Sequence, residues 1–153
     1  MTNYRGSNIS QKSFYRSNPK AEVKVVDTGY SPRPFQQYLH TQLKRFNVLV
    51  CHRRFGKTVF AVNEMIDKAL ANNFRNPQYA YIAPTYRQAK QIVWEYVIDF
   101  TRNIPGVEVN KSELSIYIHR PSVKDTNGRI IRESDKIKFM LLGADNPDAL
   151  RGS

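Results

Sequence analysis

The stretch from residue 47 to residue 58, NVLVCHRRFGKT, decides the fold class of this chain. A short apolar run at 48–51 leads into a basic cluster, and Gly56-Lys57-Thr58 closes the stretch. A phosphate-binding loop requires inward-pointing backbone N–H groups, a helix N-terminus behind them, a lysine for the outer phosphates and a hydroxyl for a metal ion. Gly56, Lys57 and Thr58 supply the last three at the required spacing, so the sequence predicts a nucleotide-binding loop.

The loop departs from the usual pattern at its first position, where Cys51 stands in place of glycine. A small residue serves there if its backbone keeps a negative φ, so the change weakens the motif without removing it. Arg53 and Arg54 favour nucleotide binding, because two guanidinium groups beside Lys57 repel one another unless an anion lies among them. The alternatives are that one arginine is merely solvated, and that Gly-Lys-Thr only marks a helix start capped by Thr58.

Composition and charge describe one basic globular domain, or part of a larger one. The 153 residues are 41% hydrophobic and 12% aromatic, which suits a folded core rather than a disordered chain. The formal net charge of +11 favours a polyanionic partner, without distinguishing DNA, RNA or an anionic membrane. The single cysteine excludes an internal disulfide, and no apolar run suits a membrane span or a signal peptide, so the cytosol is the expected location.

Apolar periodicity predicts strands and helices on both sides of the loop. Residues 1–20 are polar and basic, and we expect them to form a mobile basic arm. The predicted elements follow in chain order: a strand at 21–27, a helix over 35–46, a buried strand at 48–51, a helix over 59–70, a strand at 79–83, a helix over 89–100 capped at Thr85, a hairpin over 107–118, an exposed loop or solvent-facing turn over 120–135, and a strand over 136–143. This order is typical of an α/β domain.

Other chemistry-bearing residues have simpler interpretations. His40, His52 and His119 show no metal-ligand spacing, which favours surface or loop positions over a metal site. Asp145 ends an apolar strand, but no second carboxylate follows it directly, so a loop or helix-capping role is favoured over a magnesium ligand. The basic segment 120–138 is either a DNA contact or a solvated loop.

Four stretches carry a family resemblance. HRRFGKT at 52–58 resembles the arginine-bearing Walker A loop of the large terminase subunits, the DNA-packaging ATPases of tailed bacteriophages. Three further stretches resemble the same family in the same order: YSPRPFQQYLH at 30–40, YIAPTYRQAKQIVW at 81–94 and LLGADNPDALRG at 141–152. Four ordered matches are more specific than a single loop.

The resemblance implies a fold and a function. The fold is an α/β P-loop NTPase of the additional-strand, RecA-like ATPase type, with a partial sheet that lacks the Walker B strand and later elements. Residues 21–153 would be the N-terminal part of this ATPase domain, truncated. The complete protein would use ATP and Mg²⁺ to move double-stranded DNA into a procapsid. It would act in the host cytoplasm as a homo-oligomeric ring, with the portal protein and the small terminase subunit as partners.

The resemblance also assigns roles to residues. Gln36 falls at the position of an adenine-reading glutamine, with the Phe35 ring available near the base. Arg53 falls at a loop arginine that acts in cis on the γ-phosphate, and Arg54 is the neighbouring candidate. Arg53 and Lys57 are thus the catalytic candidates and Thr58 is the magnesium ligand, while the nucleotide-binding candidates are Gln36, Cys51, His52, Arg53, Arg54, Phe55, Gly56, Lys57 and Thr58.

Two other functions remain open. A helicase or another nucleic-acid motor also combines an upstream glutamine with a phosphate loop, and a non-catalytic nucleotide- or DNA-binding module needs no further residues. In terminases the Walker B pair follows the Leu-Arg-Gly segment, here 150–152, and a nuclease domain comes later. We therefore expect this chain alone to bind ATP without turning it over at a motor-like rate.

Overall fold

The computed structural model describes residues 13–14 and 25–145. In chain order its elements are β1 (Ser13–Phe14), β2 (Val25–Val26), α1 (Pro34–Gln42), α2 (Lys57–Ala71), β3 (Gln78–Ala83), α3 (Tyr86–Gln88), a π-helical turn (Ala89–Val93), α4 (Trp94–Thr101), β4 (Val107–Asn110), β5 (Ser115–Arg120), β6 (Val123–Lys124), β7 (Ile130–Arg132) and β8 (Asp135–Gly143). No helix in the described ranges is long and apolar enough to cross a membrane.

A mixed four-stranded sheet, in the order β3-β8-β5-β4, organises these elements. β3 and β8 run parallel, with Gln78 opposite Lys138 and Ala83 opposite Gly143. β5 is antiparallel to both β8 and β4. Two short antiparallel pairs, β1–β2 and β6–β7, lie outside this sheet. The structure is therefore an α/β fold whose sheet is only partly parallel.

The core lies between one face of the sheet and the helices α2 and α4. Ile137, Phe139 and Leu141 alternate along β8 and are fully buried, as expected for a strand with a side-chain period of two. Val62 and Ile66 of α2 lie four residues apart and meet them from the helical side. Each such side chain contributes about 1.5–3 kcal/mol of burial free energy, so this layer holds α2 firmly against the sheet.

The helix that follows β3 is capped from two directions. Thr85 Oγ1 accepts a hydrogen bond from Gln88 N at 3.2 Å, and Asp145 Oδ1 accepts one from Tyr86 N at 3.0 Å. A Cβ at Gly143 would lie 2.1 Å from Asp145 Oδ1 and 2.2 Å from Tyr86 N, so only glycine allows this approach. Asp145 thus has the predicted helix-capping role.

A buried ion pair joins β5 to β8. Arg120 Nε donates to Asp135 Oδ1 at 2.8 Å, and Arg120 Nη2 also contacts this carboxylate. The same guanidinium donates to the carbonyl oxygens of Asn72 at 2.5 Å and Phe74 at 2.6 Å, while Asp135 Oδ2 accepts from Asn76 N at 3.1 Å. The pair therefore fixes the segment after α2 to the beginning of β8.

The predicted strand at 48–51 is wrong. Val48 is 90% exposed and Val50 is 93% exposed, and no strand is formed there. A strand is stabilised by hydrogen bonds to a neighbouring strand and by burial of its side chains. Among the described residues, β3, β8, β5 and β4 pair with one another and none of them pairs with this segment.

Other predicted boundaries also need correction. The helix predicted over 35–46 ends at Gln42, and Phe46 is exposed. The strand predicted at 21–27 is seen only at Val25–Val26, where it pairs with β1, so Ser13–Phe14 of the predicted mobile arm lie in a strand. The rest of residues 1–24 lies outside the described residues.

The segment predicted as an exposed loop or a solvent-facing turn, 120–135, contains the β6–β7 hairpin. Its two end residues, Arg120 and Asp135, are buried because each neutralises the other. The first part of the helix predicted over 89–100 is the π-helical turn Ala89–Val93. The remaining helices and strands are confirmed, with small shifts at their ends.

We predict that Asp135→Asn lowers the free energy of unfolding by about 3–5 kcal/mol at pH 7, because it leaves the Arg120 charge buried without a partner. Burial raises the pKa of Asp135. The hydrogen bonds from Arg120 and Asn76, with the Arg120 charge, outweigh burial and hold that pKa below its usual value. The stabilisation should be complete above the unfolded pKa of about 3.9 and should be lost as the pH falls through the folded pKa.

Denaturant unfolding of both proteins at pH 7 and at low pH measures this effect. Glu133→Gln is the matched control, because Glu133 forms an exposed pair with Arg75 at 2.8 Å whose loss should cost about 1 kcal/mol or less. Equal losses of unfolding free energy in the two variants at pH 7 would show that the buried pair stabilises the protein no more than the exposed pair does.

Candidate nucleotide-binding site

The predicted phosphate loop is a turn that ends at the N-terminus of α2. Gly56 is the N-cap with φ +87°, and Arg54 also has a left-handed backbone with φ +65°. Phe60 N donates to Gly56 O at 2.9 Å and begins the helix. Cys51 is not among the described residues with positive φ. This agrees with the expectation that a small residue in the position of the first glycine keeps a negative φ.

Lys57 folds back over its own loop. Its Nζ donates to Cys51 O and to His52 O, both at 3.0 Å. His52 Nδ1 in turn contacts Arg53 O. An ammonium group has three donors, so two of them are used by loop carbonyls, and an anion that binds Lys57 must compete with these carbonyls.

Gln36 attaches the first turn of α1 to the end of the loop. Its Nε2 donates to Phe55 O at 3.3 Å and lies 3.5 Å from Gly56 O, while its Oε1 accepts from Arg33 N at 2.9 Å. The residue is only 4% exposed. The adenine-reading role of Gln36 stays a prediction, because the carboxamide binds protein backbone in this structure.

Arg33 is a site residue that the sequence interpretation missed. Its Nη1 donates to Arg54 O at 3.1 Å, so it holds the left-handed residue of the loop. The sequence signal for this role is the spacing between Arg33 and Gln36, three residues later, which matches an N-cap residue and its N3 partner. This signal is weak, because arginine is not a usual N-cap residue.

A cavity of about 440 Å³ lies beside the loop, within the size range of small-molecule sites. Its lining residues are Arg33, Phe35, Gln36, Val50, Cys51, His52 and Phe55. The Phe35 ring packs edge-to-face on Phe55 at 5.7 Å and is itself more than half exposed. The cavity thus offers an aromatic wall and a carboxamide, the groups that recognise a flat heterocyclic base.

The other predicted site residues lie around the loop and the start of α2 rather than in the cavity lining. The side chains of Arg53 and Arg54 are exposed, and Thr58, the second residue of α2, is half-buried. Arg53, Arg54 and Lys57 place three positive charges near the N-terminus of a 15-residue helix, and the helix dipole also favours an anion there. The arrangement suits a polyphosphate.

A magnesium site built by the protein alone is not seen in the described part of the chain. No group of three or more His, Cys, Asp or Glu residues there is arranged to hold a metal ion. Mg²⁺ commonly binds through one or two protein oxygens together with substrate phosphates and water. Thr58 fits such a role as a single hydroxyl ligand beside a bound polyphosphate.

Among solved structures, the chain is similar to the ATPase domain of the large terminase of Thermus phage P74-26, in a point-mutant form. The two are 28% identical with a TM-score of 0.60, over 82% of this chain and 51% of that chain. This chain therefore spans about half the length of that structure. No family model and no curated protein matches the sequence. The partly parallel α/β fold is thus similar to a terminase ATPase domain, which supports the resemblance seen in the sequence.

We predict that Gly56→Ala destabilises the protein more than Gly128→Ala does. Both glycines have a left-handed backbone, φ +87° and +79°, so both changes carry a strain of about 1–2 kcal/mol. A Cβ at Gly56 would also lie 3.0 Å from Gln36 Nε2, whereas one at Gly128 would have no atom within 4 Å.

Chemical denaturation of the two variants tests this difference, which should disappear when Gln36 is replaced by alanine in both proteins. An equal loss of stability at the two glycines would mean that Gln36 does not press on the loop end.

Proposed function

We propose that this chain is the ATP-binding part of a phage DNA-packaging motor of the terminase type. The observation that carries the proposal is the Lys57 loop at the N-terminus of α2, next to a cavity walled by Phe35 and Gln36. The similarity of the fold to a large terminase ATPase domain supports it. In the complete protein, ATP hydrolysis would be coupled to movement of double-stranded DNA into a procapsid.

Nucleotide binding is an exchange of partners at the loop. The Lys57 ammonium leaves the neutral carbonyls of Cys51 and His52 for phosphate oxygens, which carry a full negative charge and therefore attract it more strongly. Backbone N–H groups in the first turn of α2 hold the same phosphates. The base enters the cavity beside Phe35 and Gln36. Thr58 is the residue that would hold Mg²⁺, which would supply positive charge against the phosphates.

The two loop arginines have different roles in this proposal. The Arg54 carbonyl is held by Arg33, and its left-handed backbone shapes the turn. Arg53 lies four residues before Lys57, and its side chain is exposed, while its carbonyl contacts His52 Nδ1. Its guanidinium is the one that senses the γ-phosphate and stabilises charge on it.

The partners of the motor follow from the same proposal. They are double-stranded DNA, a portal protein, a small terminase subunit and further copies of the chain in a ring, in the host cytoplasm. The net charge of +11 supports the DNA partner. On β8, Lys136 and Lys138 point to the same face and lie over the Tyr117 ring, with Nζ 4.7 and 5.8 Å from its centroid. This face offers ordered positive charge to a phosphate backbone.

A non-catalytic nucleotide-binding module is the second candidate function. The contacts at the loop favour it, because Lys57 and the cavity beside Gln36 account for nucleotide binding without any further group. Phosphate release, measured with the same purified chain that is used for binding, separates the two functions. Hydrolysis that depends on Lys57 would exclude the module.

We predict that Lys57→Ala weakens ATP binding by about 100-fold or more, because two charged hydrogen bonds of about 1.5 kcal/mol each are lost. Isothermal titration with a non-hydrolysable ATP analogue, with and without Mg²⁺, measures the change. Lys111→Ala removes an exposed lysine from the β4–β5 turn and should leave the affinity unchanged. If Lys57→Ala binds as the wild type does, Gly-Lys-Thr is only a helix start.

We also predict that Arg53→Ala reduces the ratio of ATP to ADP affinity more than Arg54→Ala does. The reason is that only ATP offers the γ-phosphate to the Arg53 guanidinium. Titration of each variant with both nucleotides gives the ratios. Small and equal effects would mean that both arginines are solvated and that the assigned role is wrong.

A further inference from the structure

A chain of polar contacts connects the segment before α1, α1 itself and α2. Tyr30 Oη lies 3.1 Å from His40 Nε2, and His40 Nδ1 lies 2.5 Å from Glu64 Oε2. Lys68 Nζ lies 3.4 Å from the other oxygen of Glu64. The side chains of His40 and Glu64 are 9% and 16% exposed, so this is an interior network and not a surface pair.

Aromatic packing holds the imidazole in one orientation. The His40 ring stacks on Phe60 with centroids 4.2 Å apart, and Phe60 is the fourth residue of α2. The Tyr30 ring meets His40 edge-on at 5.8 Å and Phe100 of α4 at 6.0 Å. Both ring nitrogens therefore point at fixed partners.

The protonation states suit these contacts at neutral pH. Burial raises the pKa of Glu64, but the hydrogen bond from His40 and the charge of Lys68 outweigh burial and lower that pKa below its usual value. Burial, together with the Glu64 charge, raises the pKa of Tyr30 to about 12. Glu64 thus accepts from His40 Nδ1–H, and Tyr30 keeps a hydroxyl proton for Nε2.

The network lies one helical turn from Gln36 along α1 and two turns from Lys57 along α2. His40 follows Gln36 by four residues, so both side chains lie on the same face of α1. Glu64 follows Lys57 by seven residues, two turns along α2. α1 is therefore attached to the loop and α2 at two successive points, Gln36 to the loop carbonyls and His40 to Glu64.

We propose that Tyr30, His40 and Glu64 are positioning residues for nucleotide binding, which keep α1 in place while Gln36 exchanges loop carbonyls for a base. This inference rests on the proposed function. The Gln36 bonds are the ones that a base must compete for, so they do not hold α1 in the bound state. The His40–Glu64 contact involves no group of the cavity and persists through the exchange.

The test compares affinity for ATP with affinity for tripolyphosphate, which has the phosphates but no base. His40→Phe keeps the ring on Phe60 and removes both polar contacts. We expect about tenfold weaker ATP binding with unchanged tripolyphosphate binding. His40→Asn retains a donor towards Glu64 and should restore most of the ATP affinity. His119→Phe is the matched control, because His119 forms an exposed pair with Glu108 at 3.0 Å.

The outcomes separate the inference from the function on which it rests. Wild-type chain that binds neither ligand would overturn the proposed function and the inference together. Wild-type binding with equal losses of both ligands in His40→Phe, or with no loss, would overturn the inference alone. If His40→Phe does not fold, Glu64→Gln and Tyr30→Phe serve instead, and a selective loss of ATP affinity in them supports the positioning role.

Discussion

The structure depends on β8, because it joins the parallel part of the sheet to the antiparallel part. It runs parallel to β3 and antiparallel to β5, and Ile137, Phe139 and Leu141 on its inner face are fully buried against the helical layer. Polar contacts also hold both ends of β8. Asp135 at its start binds Arg120, and Asp145 just after its end caps the helix that begins at Tyr86. The layer packed on this strand includes α2, whose N-terminus carries the candidate phosphate loop.

The candidate site is held together by donors that bind backbone carbonyls. Lys57, Gln36 and Arg33 each donate to a carbonyl of the loop. A hydrogen bond inside a protein contributes about 0.5–1.5 kcal/mol net when both partners are neutral and about 1.5–3 kcal/mol when one is charged. A phosphate oxygen is itself charged and attracts the Lys57 ammonium more strongly than a carbonyl does, so the Lys57 contacts can be exchanged. The Tyr30–His40 contact and its continuation to Glu64 of α2 take no part in this exchange. In the proposed mechanism they keep α1 in place when Gln36 leaves the loop carbonyls.

Most of the elements could be predicted because their signals are local. The spacing of Val62 and Ile66 indicates a helix, and the alternation in 136–143 indicates a strand, whatever the partners are. Thr85 and the glycine at 56 mark helix starts through the chemistry of one turn. The candidate phosphate loop was found for the same reason, since its groups lie within eight consecutive residues.

Contacts between distant residues were decided only by the tertiary structure. Arg120 and Asp135 looked like parts of a charged loop, and His40 looked like a scattered histidine, until folding brought each beside its partner. The segment at 48–51 has the composition of a buried strand, yet it is exposed because a strand also needs a neighbour to pair with. By itself, the sequence determined which segments prefer helix or strand and where the candidate phosphate loop lies. The tertiary structure decided which strands pair and which charges are buried, since these depend on residues far apart in the chain.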